Sequence, residues 1–184
     1  MNQNPVIQAI QARRSIRGYE SRQISPEERQ ALIEAALAAP TGGNRQAWFF
    51  AVCQNKALLD EISLEVKNSI LKKPSAKVGE DYSVHFHAPT VVFIAAPAED
   101  KVRGALLDAG IAAENIVIAA QGLGLGNILL GMPREAFNSA RGAEFEKRLG
   151  FPEGYEFKVA VAVGYGSVTK EKTQAGPNKY AVIE

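Results

Sequence analysis

The sequence predicts an α+β sandwich, and three observations point there. Helix-patterned and strand-patterned segments, about five and about four of them, are intermixed without the strict strand–helix alternation of a doubly wound sheet. Val91-Val92-Phe93-Ile94 is a continuous apolar run between Pro89 and Pro97, the pattern of a strand buried on both faces. Ala105 to Leu123 is a long helix, apolar nearly all round, which needs a core or a subunit interface to sit in.

The elements follow in order. Val6, Ile7, Ile10 and Ile16 space as one face of a short first helix that runs into a basic turn near Arg13. Ser25-Pro26-Glu27-Glu28 reads as a helix start. Ser25 caps, Pro26 suits the first helical position, where an N–H would be unpaired anyway, and Glu28 completes the reciprocal cap. Leu32, Ile33, Ala36 and Leu37 carry that helix to about Ala39, and Pro40 ends it. Trp48 to Cys53 is aromatic and β-branched and predicts a strand. Lys56 to about Leu71 predicts an amphipathic helix with Leu59, Ile62, Val66 and Ile70 on its inner face. Lys72 to Ser83 is polar and reads as a mobile loop. A buried strand over Ala88 to Ala96 and the apolar helix come next. A further helix spans Arg134 to Leu149, a buried strand Phe157 to Val163, and a polar tail Gly164 to Glu184. No repeat, linker or low-complexity segment divides the chain, so residues 1–184 are expected to form one domain.

Composition narrows the function classes. A formal net charge of +1 supplies no field for nucleic acid or an anionic membrane, so neither partner is expected and anion recognition must come from local clusters. Ile111 to Leu130 is apolar, but Glu114, Asn115, Gln121, Asn127 and several glycines argue for a buried helix rather than a membrane span. A single cysteine, Cys53, excludes an internal disulfide. That suits a reducing compartment. The polar start, Met1 to Pro5, lacks the apolar core of a secretory signal, so a cytoplasmic location is expected.

Two segments carry chemistry. Arg13-Arg14-Ser15-Ile16-Arg17 packs three guanidiniums and a hydroxyl into five residues. Guanidinium forks match phosphate oxygens, and a serine hydroxyl adds a neutral donor. Two roles suit the turn: a grip on the terminal phosphate of a small cofactor, or a solvated basic helix end that complements the C-terminal dipole. Ala39 to Trp48 breaks a helix and leads into a strand. Gly42 and Gly43 let a backbone approach a flat ligand closely, and Asn44 and Gln46 offer amides that can read a heteroaromatic edge. An ordinary helix-to-strand turn uses the same residue types, so both readings stand.

An Arg-Arg-Ser-x-Arg turn after a first helix, followed at residues 40 to 48 by Pro-Thr-x-x-Asn-x-Gln-x-Trp, resembles the FMN-dependent nitroreductase family. The resemblance runs from about Val6 to the tail near Lys172. It implies a mixed, largely antiparallel sheet flanked by helices, in an intertwined homodimer with an FMN in each of two interface sites. Matched position by position, it implies that Arg13, Arg14 and Ser15 grip the phosphate. Arg17 would stand near the flavin pyrimidine edge, where a cation stabilises the negative charge that collects on reduction. Pro40, Thr41, Gly42 and Asn44 would belong to a loop that the partner subunit lays against the flavin, with Gln46 at its ribityl or ring edge. Thr41 and Ala47 depart from the usual Ser and Pro of the family, and Thr41 keeps the hydroxyl.

Gly122-Leu123-Gly124-Leu125-Gly126 follows an apolar helix rather than a strand, so it reads as a helix exit and not as a dinucleotide fingerprint. In the resembled family this segment leads to backbone N–H groups that face flavin N5 and O4, and Leu130 and Gly131 match them. The family often has an acidic residue where Leu130 stands, which bears on substrate preference. Lys170 and Lys172 match late basic residues that reach the same phosphate, or belong to a solvated charged tail. His85 and His87 alternate on what reads as a strand entry, facing one side. No further ligands at sensible spacing accompany them, so no metal is expected. Cys53 reads as apolar packing rather than a nucleophile.

The sequence offers no acid–base pair, which fits a protein whose cofactor carries the chemistry. The resemblance implies FMN as cofactor and NADH or NADPH as reductant. Hydride would pass through flavin N5, in a ping-pong cycle, to a flat conjugated small-molecule electron acceptor, a nitroaromatic or a quinone. Three alternatives stand beside it: the same fold running reductive dehalogenation or an oxygen-dependent flavin reaction, a non-catalytic flavin-binding protein, and an anion-binding module without flavin.

Overall fold

The computed structural model describes residues 4–72, 77–99, 101–172 and 176–184. The elements run α1 (Pro5–Ala12), α2 (Pro26–Leu37), β1 (Phe49–Cys53), α3 (Lys56–Leu71), β2 (Thr90–Pro97), α4 (Ala105–Gly122), β3 (Gly126–Leu130), α5 (Arg134–Phe137), α6 (Gly142–Leu149) and β4 (Tyr155–Gly164). The strands form one sheet in the order β1-β2-β4-β3, antiparallel at every ladder. Its parallel component is an isolated bridge between Ser15 and Asn127.

Side-chain alternation along the strands builds two cores. Val91 and Phe93 point to one face with Ile128, Leu130, Ala160 and Ala162, against Leu59, Ile62 and Val66 of α3 and Phe145 of α6. Val92 and Ile94 point to the other with Val161 and Val163, against Leu32 and Ala36 of α2 and Ala109, Ala113 and Ile116 of α4. The sheet is therefore covered on both faces, which explains why β2 is an unbroken apolar run. The α+β sandwich expected from the sequence is the observed architecture.

Local chemistry explains the helix starts. Asn4 caps α1 by accepting the Val6 N–H at 2.9 Å. The expected cap of α2 is present in both directions: Ser25 Oγ accepts the Glu28 N–H at 3.1 Å, and Glu28 Oε2 accepts the Ser25 N–H at 2.7 Å. The Tyr165 hydroxyl adds a bond to the same carboxylate at 2.8 Å, tying this helix start to the far end of β4. Helix α3 covers the expected range and begins on Asn55, whose side chain accepts the Leu58 N–H at 3.1 Å.

Two expectations need correction. The glycine-rich exit of α4 is short, and Gly126–Leu130 is a full strand at the sheet edge. The single helix expected over Arg134 to Leu149 is two. Its break is built from Ser139, whose Oγ accepts the Arg141 N–H at 3.1 Å, and from Gly142. A Cβ on Gly142 would lie 1.9 Å from the Phe137 carbonyl oxygen, so the chain can approach itself there only with glycine. The loop expected over Lys72 to Ser83 falls in part outside the described residues. Among the described residues, no helix is long and apolar enough to cross a membrane. Cys53 is buried in β1.

Candidate functional site

The basic turn leaves α1 at Arg13 and runs along the open edge of β3. The Ile16 N–H donates to the Asn127 carbonyl at 3.0 Å, and the Tyr19 hydroxyl donates back to the Ile16 carbonyl at 3.1 Å. Burial pushes the Tyr19 hydroxyl pKa well up, so it stays a neutral donor. Pinned at the sheet edge, Arg13, Arg14 and Ser15 meet Lys170 and Glu171 around a cavity of about 170 Å³. Among the described residues, no carboxylate pairs with Arg13, Arg14 or Arg17. Arg14 does serve the helix end, donating to the Gln11 carbonyl at 2.8 Å and the Arg13 carbonyl at 2.6 Å. Part of Arg14 thus serves the helix end, one of the two roles read from the sequence, and the remaining cationic donors share their cavity with Glu171 without an ion pair to the arginines among the described residues. Lys170 joins the cluster, whereas Lys172 is exposed and does not line this cavity.

The Pro40–Trp48 loop is braced internally. Thr41 Oγ1 accepts the Gln46 N–H at 2.9 Å, and Gln46 Nε2 donates to Asn44 Oδ1 at 3.2 Å. Gly43, Asn44 and Gln46 all have positive φ, at 62°, 54° and 50°, which leaves Gly42 to Gln46 exposed and projecting. The loop is anchored on α4 and the turn before it: buried Asp108 accepts the Gly42 N–H at 3.1 Å, and Arg45 donates to the Arg103 carbonyl at 3.0 Å. Asp108 escaped sequence reasoning, although a lone carboxylate in the first turn of an apolar helix is a usable signal.

Helix α4 keeps the two segments apart. Gln121 near its C-terminal end shares a cavity wall with Arg14, while Asp108 in its first turn holds Gly42. At 1.5 Å per residue these anchors are about 20 Å apart along the helix. One chain therefore does not bring the basic turn and the loop together. Each half holds a buried polar atom without a hydrogen-bond partner among the described residues: Asn127 Oδ1 under the turn and Trp48 Nε1 at the loop's end. Such atoms are uncommon and call for an explanation. Asn127 is fully buried, and a polar residue inside the apolar run from Leu125 to Leu130 was its only sequence signal.

Arg17 lies past the cavity, exposed, with its guanidinium 5.7 Å from the centre of the Phe86 ring. Leu130 closes β3 opposite Ala160 with its side chain in the core, so its backbone is what it can offer a ligand. Gly131 follows, exposed, with open space where a Cβ would stand.

His85 and His87 lie in a turn and not on a strand entry, contrary to expectation, although both line one cavity of about 200 Å³ with ring centroids 6.3 Å apart. Residues 84–87 form a turn in which Phe86 and His87 have φ of 56° and 60°, burying His85 and exposing His87. His85 Nδ1 lies 3.2 Å from Ser83 Oγ, and burial pushes its pKa down to about 4. Among the described residues, no three His, Cys, Asp or Glu side chains gather as a metal site. A roomier cavity, about 490 Å³, lies between Glu99, Arg134, Phe137, Glu146, Glu156 and Lys158, apart from the basic turn and the Pro40–Trp48 loop. Its cations are engaged: Lys158 bonds Glu156 at 2.7 Å, and Arg134 donates to the Lys158 carbonyl at 3.3 Å.

Comparison with known proteins follows the same outline. Residues 10–165 match the model of the nitroreductase family. An Archaeoglobus fulgidus protein, provisionally named as an NADH dehydrogenase/NAD(P)H nitroreductase, is 33% identical over 172 residues, covering 92% of this chain and 90% of its own. The crystal structure of a nitroreductase with bound FMN from Desulfitobacterium hafniense superposes with a TM-score of 0.90 at 33% identity, covering 100% of both chains. A second, from Bacteroides fragilis and also with bound FMN, has a TM-score of 0.90 at 26% identity and the same coverage.

Proposed function

The chain belongs to the nitroreductase family, and on that premise we propose that it is an FMN-dependent oxidoreductase that works as a homodimer with NADH or NADPH as reductant. The observation that carries this reading is the convergence of Arg13, Arg14, Ser15 and Lys170 on one small cavity, also lined by Glu171, where no carboxylate pairs with the arginines among the described residues. Three cations and a hydroxyl suit a phosphate monoester, and a cavity of about 170 Å³ is the scale of that group rather than of a nucleic acid. When bound, FMN supplies the redox chemistry, carrying a hydride from the nicotinamide to a flat conjugated acceptor, nitroaromatic or quinone, in a ping-pong cycle.

The chain's own residues bind and orient. Arg13, Arg14, Ser15 and Lys170 hold the phosphate, and Lys172, two positions on and outside the cavity, is a second tail cation. Arg17 places positive charge where negative charge develops on reduction. Leu130 and Gly131 offer backbone at the edge of the sheet. Pro40, Thr41, Gly42, Asn44 and Gln46 act on the site of the other subunit, because about 20 Å of α4 keeps them from the turn of their own chain.

The test begins with the absorption spectrum of purified protein, which is expected to be yellow or to become so with FMN. Riboflavin, which lacks the phosphate, is expected to bind at least about tenfold more weakly. Steady-state oxidation of NADH and NADPH against nitro, quinone and halogenated acceptors then assigns the reaction. A colourless protein that does not take up FMN would sink the proposal. Bound FMN without turnover on any acceptor would leave a flavin-binding protein and overturn the enzymatic part.

A further inference from the structure

Arg17 is poorly held for a residue that must place a charge accurately. Its side chain is exposed and has no carboxylate partner among the described residues. Among the described residues its one hydrogen bond, to the Ser15 carbonyl, is 3.5 Å long, at the edge of what counts as a bond. What remains is the Phe86 ring at 5.7 Å, within reach of a cation–π contact.

The segment that presents Phe86 is unusually constrained. Phe86 and His87 are consecutive non-glycine residues in the left-handed region. That conformation is costly for L side chains and persists only where surrounding contacts over-determine it. Those contacts are present. The Phe86 N–H donates to the Ser83 carbonyl and the Ala88 N–H to the His85 carbonyl, both at 3.0 Å. Ser83 Oγ accepts the His87 N–H at 3.0 Å and meets His85 Nδ1 at 3.2 Å. Ser63 Oγ, from α3, accepts the Val84 N–H at 2.8 Å. The Phe86 ring meanwhile packs half-buried against the core cluster to which α3 contributes. A ring fixed on one side by the core and on the other facing a guanidinium is a platform.

We propose that Phe86 is the positioning residue for Arg17, and that the strained 83–88 turn exists to hold its ring beneath that guanidinium. The inference rests on the flavin reading above. It adds a residue outside both sequence motifs, acting through Arg17 rather than by touching the reacting atoms.

The experiment measures the midpoint potential of FMN bound to the full-length protein, together with the dissociation constant for oxidised FMN. Arg17→Gln is expected to lower the potential by removing the cation. Phe86→Met, which fills similar space without a π face, is expected to lower it in the same direction. Its expected size is about threefold in relative affinity for the reduced form, or about 15 mV for a two-electron couple at about 30 mV per decade. Phe86→Tyr keeps the ring and is expected to keep the potential. In an Arg17→Gln background, Phe86→Met is expected to add nothing. A purely structural Phe86 would instead weaken FMN binding in both redox states and leave the potential unmoved. That result, or additive shifts in the double variant, overturns the proposal with the flavin reading intact. An unchanged potential in Arg17→Gln overturns the role of Arg17 and this proposal with it, while failure of the wild type to bind FMN overturns the functional reading itself. Should Phe86→Met fail to fold, Ser83→Ala loosens the turn and keeps the ring. It is expected to lower the potential, and no shift in that variant would overturn the proposal.

Discussion

His85 illustrates how a single residue constrains the molecule's working range. Its ring is buried and its pKa is pushed down to about 4 from an ordinary 6.5. Below pH 6.5 the unfolded chain takes up a proton that the folded chain refuses, so stability that is complete above pH 6.5 is lost as pH falls toward 4. The loss owed to His85 is about 2 kcal/mol by pH 5. Urea midpoints at fixed protein concentration check this: the wild-type curve should fall more steeply between pH 6.5 and 5 than that of His85→Gln. Parallel curves would show that another group is responsible. Residues differ in how plainly a sequence announces them. Arg13, Arg14 and Ser15 are legible because cation density in so short a span is chemistry in itself. Phe86 is not, because its importance lies in a left-handed backbone and a neighbour 69 positions away. Neither leaves a trace in local composition.

At the scale of elements, punctuation and periodicity carry most of the information. The Ser25–Glu28 cap, Pro40, and the prolines around β2 mark boundaries that the fold respects. Strand β3 stayed hidden because Gly122, Gly124 and Gly126 mask the start of a short edge strand whose partner, β4, is made last. The break between α5 and α6 stayed hidden because apolar spacing continues from Phe137 through Phe145 to Leu149 across it. There the decisive residue is Gly142, through a contact rather than a propensity. Gly142→Ala is expected to destabilise the protein by at least about 2 kcal/mol, a large effect for adding one methyl. For a chain of this size that is a fall of about 5 °C in Tm, readable by calorimetry. An unchanged Tm would mean that the α5–α6 turn can move aside.

For the whole molecule the central fact is that α4 separates the two halves of the candidate site. No sequence motif states that separation, since it follows from where α4 docks the loop at one end and α1 at the other. If each site takes its turn from one copy and its loop from the other, two defective chains can repair one another. A chain carrying Arg13→Ala and Arg14→Ala, co-expressed with a chain carrying Thr41→Ala and Asn44→Ala, gives heterodimers with one doubly damaged site and one fully wild-type site. Isolated heterodimers with orthogonal tags are expected to bind one FMN per dimer with wild-type affinity and to show about half the wild-type turnover. Either homodimer should be deficient. Heterodimers as deficient as their parents would place turn and loop in the same subunit's site. The exposed, apolar Tyr180, Val182 and Ile183 near the C-terminus are further surface that a lone chain leaves bare.

The seclusion of Cys53 has a practical side. It is the only thiol in the chain, it sits 6% exposed in β1, and burial raises its pKa. Maleimide and methanethiosulfonate reagents, which react with accessible thiolates, have little to find in the native protein. A cysteine introduced on the projecting loop or on the tail would therefore take a spin label or a fluorophore almost alone. Pulsed dipolar or energy-transfer distances between two labelled copies could then be read without first engineering the native thiol away.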